Sequence, residues 1–122
     1  MKMIESLMME FDQEAQTTRK HLERLPNDKL NWQPHEKSFT AGALASHIVE
    51  CVGWGDSIFS LDEFDFDPAT YKPYEVTSVA DLLKTFDDNV ANCKRALAGA
   101  ADAILMQPWR LLADPSGYIF TW

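Results

Sequence analysis

The chain has few cysteines, few basic residues and no long hydrophobic run, and each shortage excludes a class of protein. Only two cysteines occur in 122 residues, so a disulfide-rich secreted scaffold is excluded and a cytoplasmic location is expected. Lysine and arginine total 11 against 19 aspartates and glutamates, and this net charge of -8 disfavours nucleic acid as a partner. No apolar run could span a bilayer, and the N-terminus lacks a signal-peptide pattern, so no membrane partner is expected.

What the chain does contain is typical of a folded globular protein. Hydrophobic residues make up 46% of the sequence, and four tryptophans with seven phenylalanines supply large surfaces that a disordered chain would lack. The length suits one hydrophobic core. We therefore expect a single domain spanning residues 1–122.

Apolar residues recur at intervals of three and four in three stretches, which predicts helices over residues 3–24, 40–59 and 78–98. Thr40 and Ser78 carry hydroxyls that can cap the first turns of the second and third helices. Residues 64–74 are predicted to be irregular. The predicted core comprises Phe11, Leu22, Leu44, Ile48, Leu82, Phe86 and Val90.

An acidic stretch at residues 62–67 alternates with Phe64 and Phe66. It does not fit a calcium loop, because it has no glycine at the central turn and no glutamate at the required distance. We expect a solvated acidic loop anchored by its two phenylalanines. Tyr71 and Tyr74 follow and are expected to overhang any cleft nearby.

His47 is the residue with the clearest chemical potential, because helical spacing places it beside the apolar face of the second helix. One interpretation is a histidine at the edge of the core that hydrogen-bonds a carbonyl or carboxylate. The other is a metal ligand assisted by Glu50 at i+3 and Cys51 at i+4. His21 is expected to be solvated or capping, and His35 to be exposed.

A third interpretation makes one of the cysteines a nucleophile. His47 and Cys51 share a helix face, and an imidazole there can lower the pKa of a thiol. No third orienting group is evident nearby, and a buried structural cysteine explains the same spacing. We therefore expect both Cys51 and Cys93 to be small core residues.

The sequence resembles the DinB-like, or YfiT-like, family of four-helix-bundle proteins. A leucine-proline turn runs to a tryptophan and a second proline, and a small-residue helix bearing a histidine follows it. The residues that carry the resemblance are Phe11, Arg19 and Leu22, the segment LPNDKLNWQP at 25–34, Ser38-Phe39-Thr40, Leu44-Ala45-Ser46-His47-Ile48 and Trp54.

The resemblance implies an all-α, up-down helical bundle and a metal-dependent hydrolase or thiol-dependent transferase. In this family three histidines bind a divalent ion such as zinc or nickel, one on the second helix and two on the fourth. His47 matches the first, but no histidine follows it. We therefore expect three main helices with the fourth missing, no assigned catalytic residue, and no metal in the 122-residue chain, although a complete form would bind one.

The alternative is a non-catalytic helical module for dimerisation or small-molecule binding. Three amphipathic helices without a fourth leave an apolar groove, which proteins rarely expose. A second copy of the chain could cover it, so a homodimer is expected, and a small molecule or a thiol is a further candidate ligand. Whether the sequence is a natural short form or part of a longer protein stays open.

Overall fold

A computed structural model describes residues 1–112 and the strand at 119–121. Three long helices dominate the fold: α1 (Met3–Leu22), α2 (Ala41–Ser60) and α3 (Val79–Gly99). The shorter elements are 3-10 helices at Asn27–Lys29 and Asp102–Met106 and strands β1 (Glu63–Asp65), β2 (Arg110–Leu112) and β3 (Ile119–Thr121). The predicted helical bundle with three main helices is confirmed. Among the described residues no fourth long helix follows α3, and none of the helices there is long and apolar enough to cross a membrane.

The predicted helix starts are confirmed by their caps. The hydroxyl of Thr40 accepts a hydrogen bond from the amide of Ala43 at 3.1 Å, and the hydroxyl of Ser78 accepts one from Asp81 at 3.0 Å. α1 ends at Leu22 and not at residue 24, because the chain must already turn before Pro26 breaks the hydrogen-bonding pattern.

α3 holds the core together, because α1 and α2 both pack against it. α3 contributes residues to two buried groups, one near each of its ends. The first group consists of Leu22, Ala45, Val49, Leu82 and Phe86, and the second of Ile4, Cys93 and Leu97. Of the predicted core, Leu22, Leu82 and Phe86 are buried, while Phe11 and Val90 are half-buried and pack against these groups.

The prediction was wrong about which face of α2 is buried. Leu44 and Ile48 are 49% and 37% exposed, whereas Ala45 and Val49 are buried against α3. The interior face of α2 carries several small residues, and their size lets the backbones of α2 and α3 approach closely. Apolar residues occur all around this helix, so their spacing alone could not indicate which face is turned inward.

A small sheet, whose first strand packs against α2, was not predicted. β1 pairs in parallel with β2, and β2 pairs antiparallel with β3. Phe64 stands opposite Leu111 in this register, and an ion pair of 2.8 Å joins Glu63 to Arg110 across the strands. The irregular region predicted for residues 64–74 therefore begins inside β1. Strands of three residues are too short to leave a periodic signal in the sequence.

The segment after α3 returns to the start of α1. The carboxylate of Asp102 accepts hydrogen bonds from the amides of Met3 and Ile4 at 3.0 and 2.9 Å. These two bonds hold the pKa of the Asp102 carboxyl below its usual value. A side chain distant in sequence therefore caps α1, which no local motif at the N-terminus predicts.

The close approach of α2 and α3 makes Gly55 sensitive to substitution. A Cβ atom there would overlap Sγ of Cys93 and lie 3.2 Å from its Cβ. We expect Gly55→Ala to lower the free energy of unfolding by about 1–3 kcal/mol through overpacking. Urea denaturation measures this change.

Gly99→Ala is the matched control, because nothing lies within 4 Å of the position that its Cβ would take. Combining Gly55→Ala with Cys93→Ala should recover part of the lost stability, since the overlapping sulfur is removed. Equal stability of Gly55→Ala and Gly99→Ala would contradict the packing described for α2 and α3.

Candidate functional site

His47 lies on the exposed side of α2 and lines a cleft of about 580 Å³. Its position beside the apolar residues of α2 is as predicted, but the surrounding face is turned away from the core. One side of the cleft is α2, and the other sides are the connector before α2 and the segment before α3. The cleft is lined by Leu30, Phe39, Thr40, Ser46, Glu50, Tyr71, Tyr74 and Val76, among others.

Backbone hydrogen bonds fix the walls of this cleft. The amide of Gly42 donates to the carbonyl oxygen of Leu30 at 2.8 Å, and a Cβ on Gly42 would lie only 2.9 Å from that oxygen. On the opposite wall the hydroxyl of the buried Ser46 accepts a hydrogen bond from the amide of Val76 at 2.9 Å. The connector and the segment before α3 are thus both attached to α2, so the cleft is formed before any ligand arrives.

The thiol of Cys51 is the nearest reactive partner of His47. Its Sγ atom lies 3.7 Å from Nε2 of His47, one helical turn away. Cys51 is exposed, so the expectation that both cysteines belong to the core was wrong for this one. Cys93 is buried as expected, and burial raises the pKa of its thiol. The two cysteines therefore differ in their access to solvent.

Glu50 interacts with Tyr71, which the sequence pattern did not predict. The phenol of Tyr71 donates a hydrogen bond to the carboxylate of Glu50. This bond, together with partial desolvation, raises the pKa of Tyr71 to about 12. Tyr71 and Tyr74 both line the cleft of His47, as the sequence predicted.

The other two histidines lie elsewhere. The ring of His21 contacts the carbonyl oxygen of Thr17 through Nδ1 at 2.8 Å, and His35 is exposed with its Nδ1 accepting from the amide of Lys37. Residues 1–112 contain no group of three His, Cys, Asp or Glu side chains placed to hold a metal ion. One imidazole and one thiol do not fit the three or four ligands that zinc requires.

A second pocket adjoins the cleft, and the sequence did not predict that its residues come together. Its volume is about 300 Å³, and Trp54, Phe64, Phe66, Tyr71 and Tyr74 contribute to its walls. Phe64 in β1 and Phe66 just after it both lie near Trp54, which confirms their predicted role as anchors, although part of the expected acidic loop is a strand. The alternation of phenylalanine and acidic residues was the signal for this pocket in the sequence. Only folding brings Trp54 into contact with the two phenylalanines.

The comparisons with known proteins agree with the helical fold. A family model described as the DinB superfamily matches residues 10–118, and the chain therefore belongs to this superfamily. No curated protein and no solved structure matches it.

The difference between the two cysteines gives a direct test of the site. In the folded protein at about pH 8, Ellman's reagent should react quickly with Cys51 and slowly with Cys93, because only the first thiol is accessible and the second is held protonated by burial. Absorbance of the released thiolate measures both rates.

Two single variants assign the reacting thiols. Cys51→Ser should remove the fast phase, Cys93→Ser should keep it, and unfolding in denaturant should make both cysteines fast. A fast phase that survives in Cys51→Ser would show that the outward orientation of this face of α2 is wrong.

Proposed function

We propose that this chain is a non-catalytic binding module of the DinB superfamily that forms a homodimer through an apolar face of α2. In this proposal, metal-dependent hydrolysis or thiol transfer requires a longer form that supplies further histidine ligands. The observation that carries the proposal is a contiguous exposed apolar surface beside the His47 cleft.

This surface surrounds a groove of about 560 Å³ between the end of α1, the connector and α2. Four large apolar residues in its lining are strongly exposed: Trp32 by 57%, Phe39 by 67%, Leu44 by 49% and Ile48 by 37%. Monomeric proteins rarely leave such a patch in contact with water. We name these four residues and their groove the apolar face.

A second copy of the chain is a suitable partner for the apolar face. Two copies can cover equivalent faces about a two-fold axis, which buries both patches at once. The protein carries a net charge of -8, yet the lining of the groove contains no aspartate or glutamate. The surface thus lacks the carboxylates that would make two acidic copies repel each other there.

Ile48→Asp tests the homodimer. The change should weaken self-association tenfold or more, because each copy loses the burial of the 37% of Ile48 that is exposed, roughly 0.5–1 kcal/mol, and places a charge in the interface. Sedimentation equilibrium of wild type and variant gives the two dissociation constants.

Leu7→Asp is the matched control, since Leu7 is also 37% exposed on a helix but does not line the groove. It should leave the dissociation constant unchanged. A wild-type chain that stays monomeric at high micromolar concentration without binding an apolar dye would refute the dimer, as would equal weakening by both variants.

The second candidate function is the metal-dependent reaction that the family resemblance implies, and the exposed His47 with Cys51 beside it favours this candidate. The imidazole lines the cleft, and the exposed thiol lies 3.7 Å from its Nε2, so an ion could reach both. The described residues lack the remaining ligands, so the reaction would depend on a longer chain.

Metal analysis separates the two candidate functions. The 122-residue chain should purify without a stoichiometric metal and without metal-dependent hydrolase activity, because one imidazole gives insufficient affinity. A form that continues past Trp122 with further histidines should bind one zinc or nickel ion per chain and lose it on His47→Ala, while His35→Ala retains it. An equimolar metal in the short chain that is lost on His47→Ala would contradict this assignment.

A further inference from the structure

The second pocket, next to the His47 cleft, is built mainly from aromatic rings. The ring centroids of Trp54 and Phe64 lie 5.2 Å apart with planes inclined by 61°, and Phe66 lies 6.1 Å from Trp54 and 4.9 Å from Tyr71. The inclined rings form walls around a space and do not stack into one layer. Tyr74 also lines this space, and Val49 is the aliphatic residue in the lining. We call these five aromatic side chains and their space the aromatic pocket.

A carboxylate lies at the edge of the aromatic pocket. Glu50 contributes to its lining and accepts the hydrogen bond of the Tyr71 phenol. The acidic stretch at residues 62–67, which supplies two of the rings, carries four further carboxylates, of which Glu63 is paired with Arg110. The charge around the pocket is thus negative, which raises the local concentration of cations and repels anions.

We propose that the aromatic pocket binds the methylated ammonium group of a small organic cation. The negative faces of aromatic rings attract a cation, and several rings around one space are the usual arrangement for a quaternary ammonium ligand. The volume of about 300 Å³ lies at the lower end of the range for small-molecule sites. A compact charged group, and not a large ligand, therefore suits the space.

Other cations fit this pocket less well. A primary ammonium needs several hydrogen-bond acceptors to replace its water. The carboxylate of Glu50 is the charged acceptor in the lining, and it already accepts the hydrogen bond of the Tyr71 phenol. A methylated ammonium requires no hydrogen bond. A metal ion would need three or more ligand side chains, and no such group occurs among residues 1–112.

The aromatic pocket is separate from the apolar face, because the two linings share no residue. It adjoins the His47 cleft through Glu50, Tyr71 and Tyr74, which line both spaces. The inference therefore goes beyond the proposed homodimer and does not depend on it.

Proton NMR of tetramethylammonium with the full 122-residue chain tests the inference. Methyl groups enclosed by aromatic rings should shift upfield, and a titration of the ligand up to about 50 mM gives the affinity even for a weak site. Choline and its uncharged isostere 3,3-dimethylbutan-1-ol form the second pair of probes. Choline should bind roughly three- to thirtyfold more tightly than the isostere, since the two differ chiefly in charge.

Variants at Tyr71 locate the site, because this residue lines the pocket and is 42% exposed, so its replacement does not open a cavity in the core. Tyr71→Leu should weaken tetramethylammonium binding roughly three- to thirtyfold, whereas Tyr71→Phe, which keeps the ring, should retain it. Glu50→Gln should also weaken binding through loss of the charge. Trp32→Leu is the control for an exposed aromatic residue outside the pocket, and circular dichroism confirms that each variant is folded.

Three results would overturn the inference. They are the absence of an upfield shift over the whole titration, equal binding of choline and its isostere, and equal effects of Tyr71→Leu and Trp32→Leu. Because none of these measurements depends on the dimer dissociation constant, failure here is distinguishable from failure of the proposed homodimer.

Discussion

The close packing of α2 against α3 is the constraint on which the rest of the structure depends. Small residues on the inner face of α2 let the helices approach until a single added carbon at Gly55 would overlap Cys93. Val49 and Phe86 are then almost completely buried between them. Once this face is turned inward, the helix must present its other apolar residues, together with His47 and Cys51, to the outside.

This orientation of α2 determines what surrounds His47. The connector before α2 and the segment before α3 are attached to it through Gly42 and Ser46 and form the two walls of the cleft. Glu50 points to the same side and reaches Tyr71. The aromatic pocket, the cleft and the apolar face are therefore three neighbouring surfaces arranged on one helix.

Much of the fold could be predicted from the sequence because its signals are local. The hydroxyls of Thr40 and Ser78 mark helix starts, and the three- and four-residue spacing of apolar residues in α3 correctly identified Leu82 and Phe86 as core residues. The conspicuous pattern at residues 25–34, followed by His47, gave the family, which the match over residues 10–118 confirms. These features need only a few neighbouring residues to be recognised.

The sequence alone determined the helices, because the spacing of apolar residues is a local signal, and it indicated the superfamily through its resemblance at residues 25–34 and around His47. It also showed that no histidine follows His47. Only the tertiary structure decided which face of α2 is buried, since that choice depends on how well small residues fit against α3. It also decided that Asp102 caps α1 and that Trp54 contacts the two phenylalanines of the acidic stretch. Each of these contacts joins residues distant in the chain, and local periodicity carries no information about such partners.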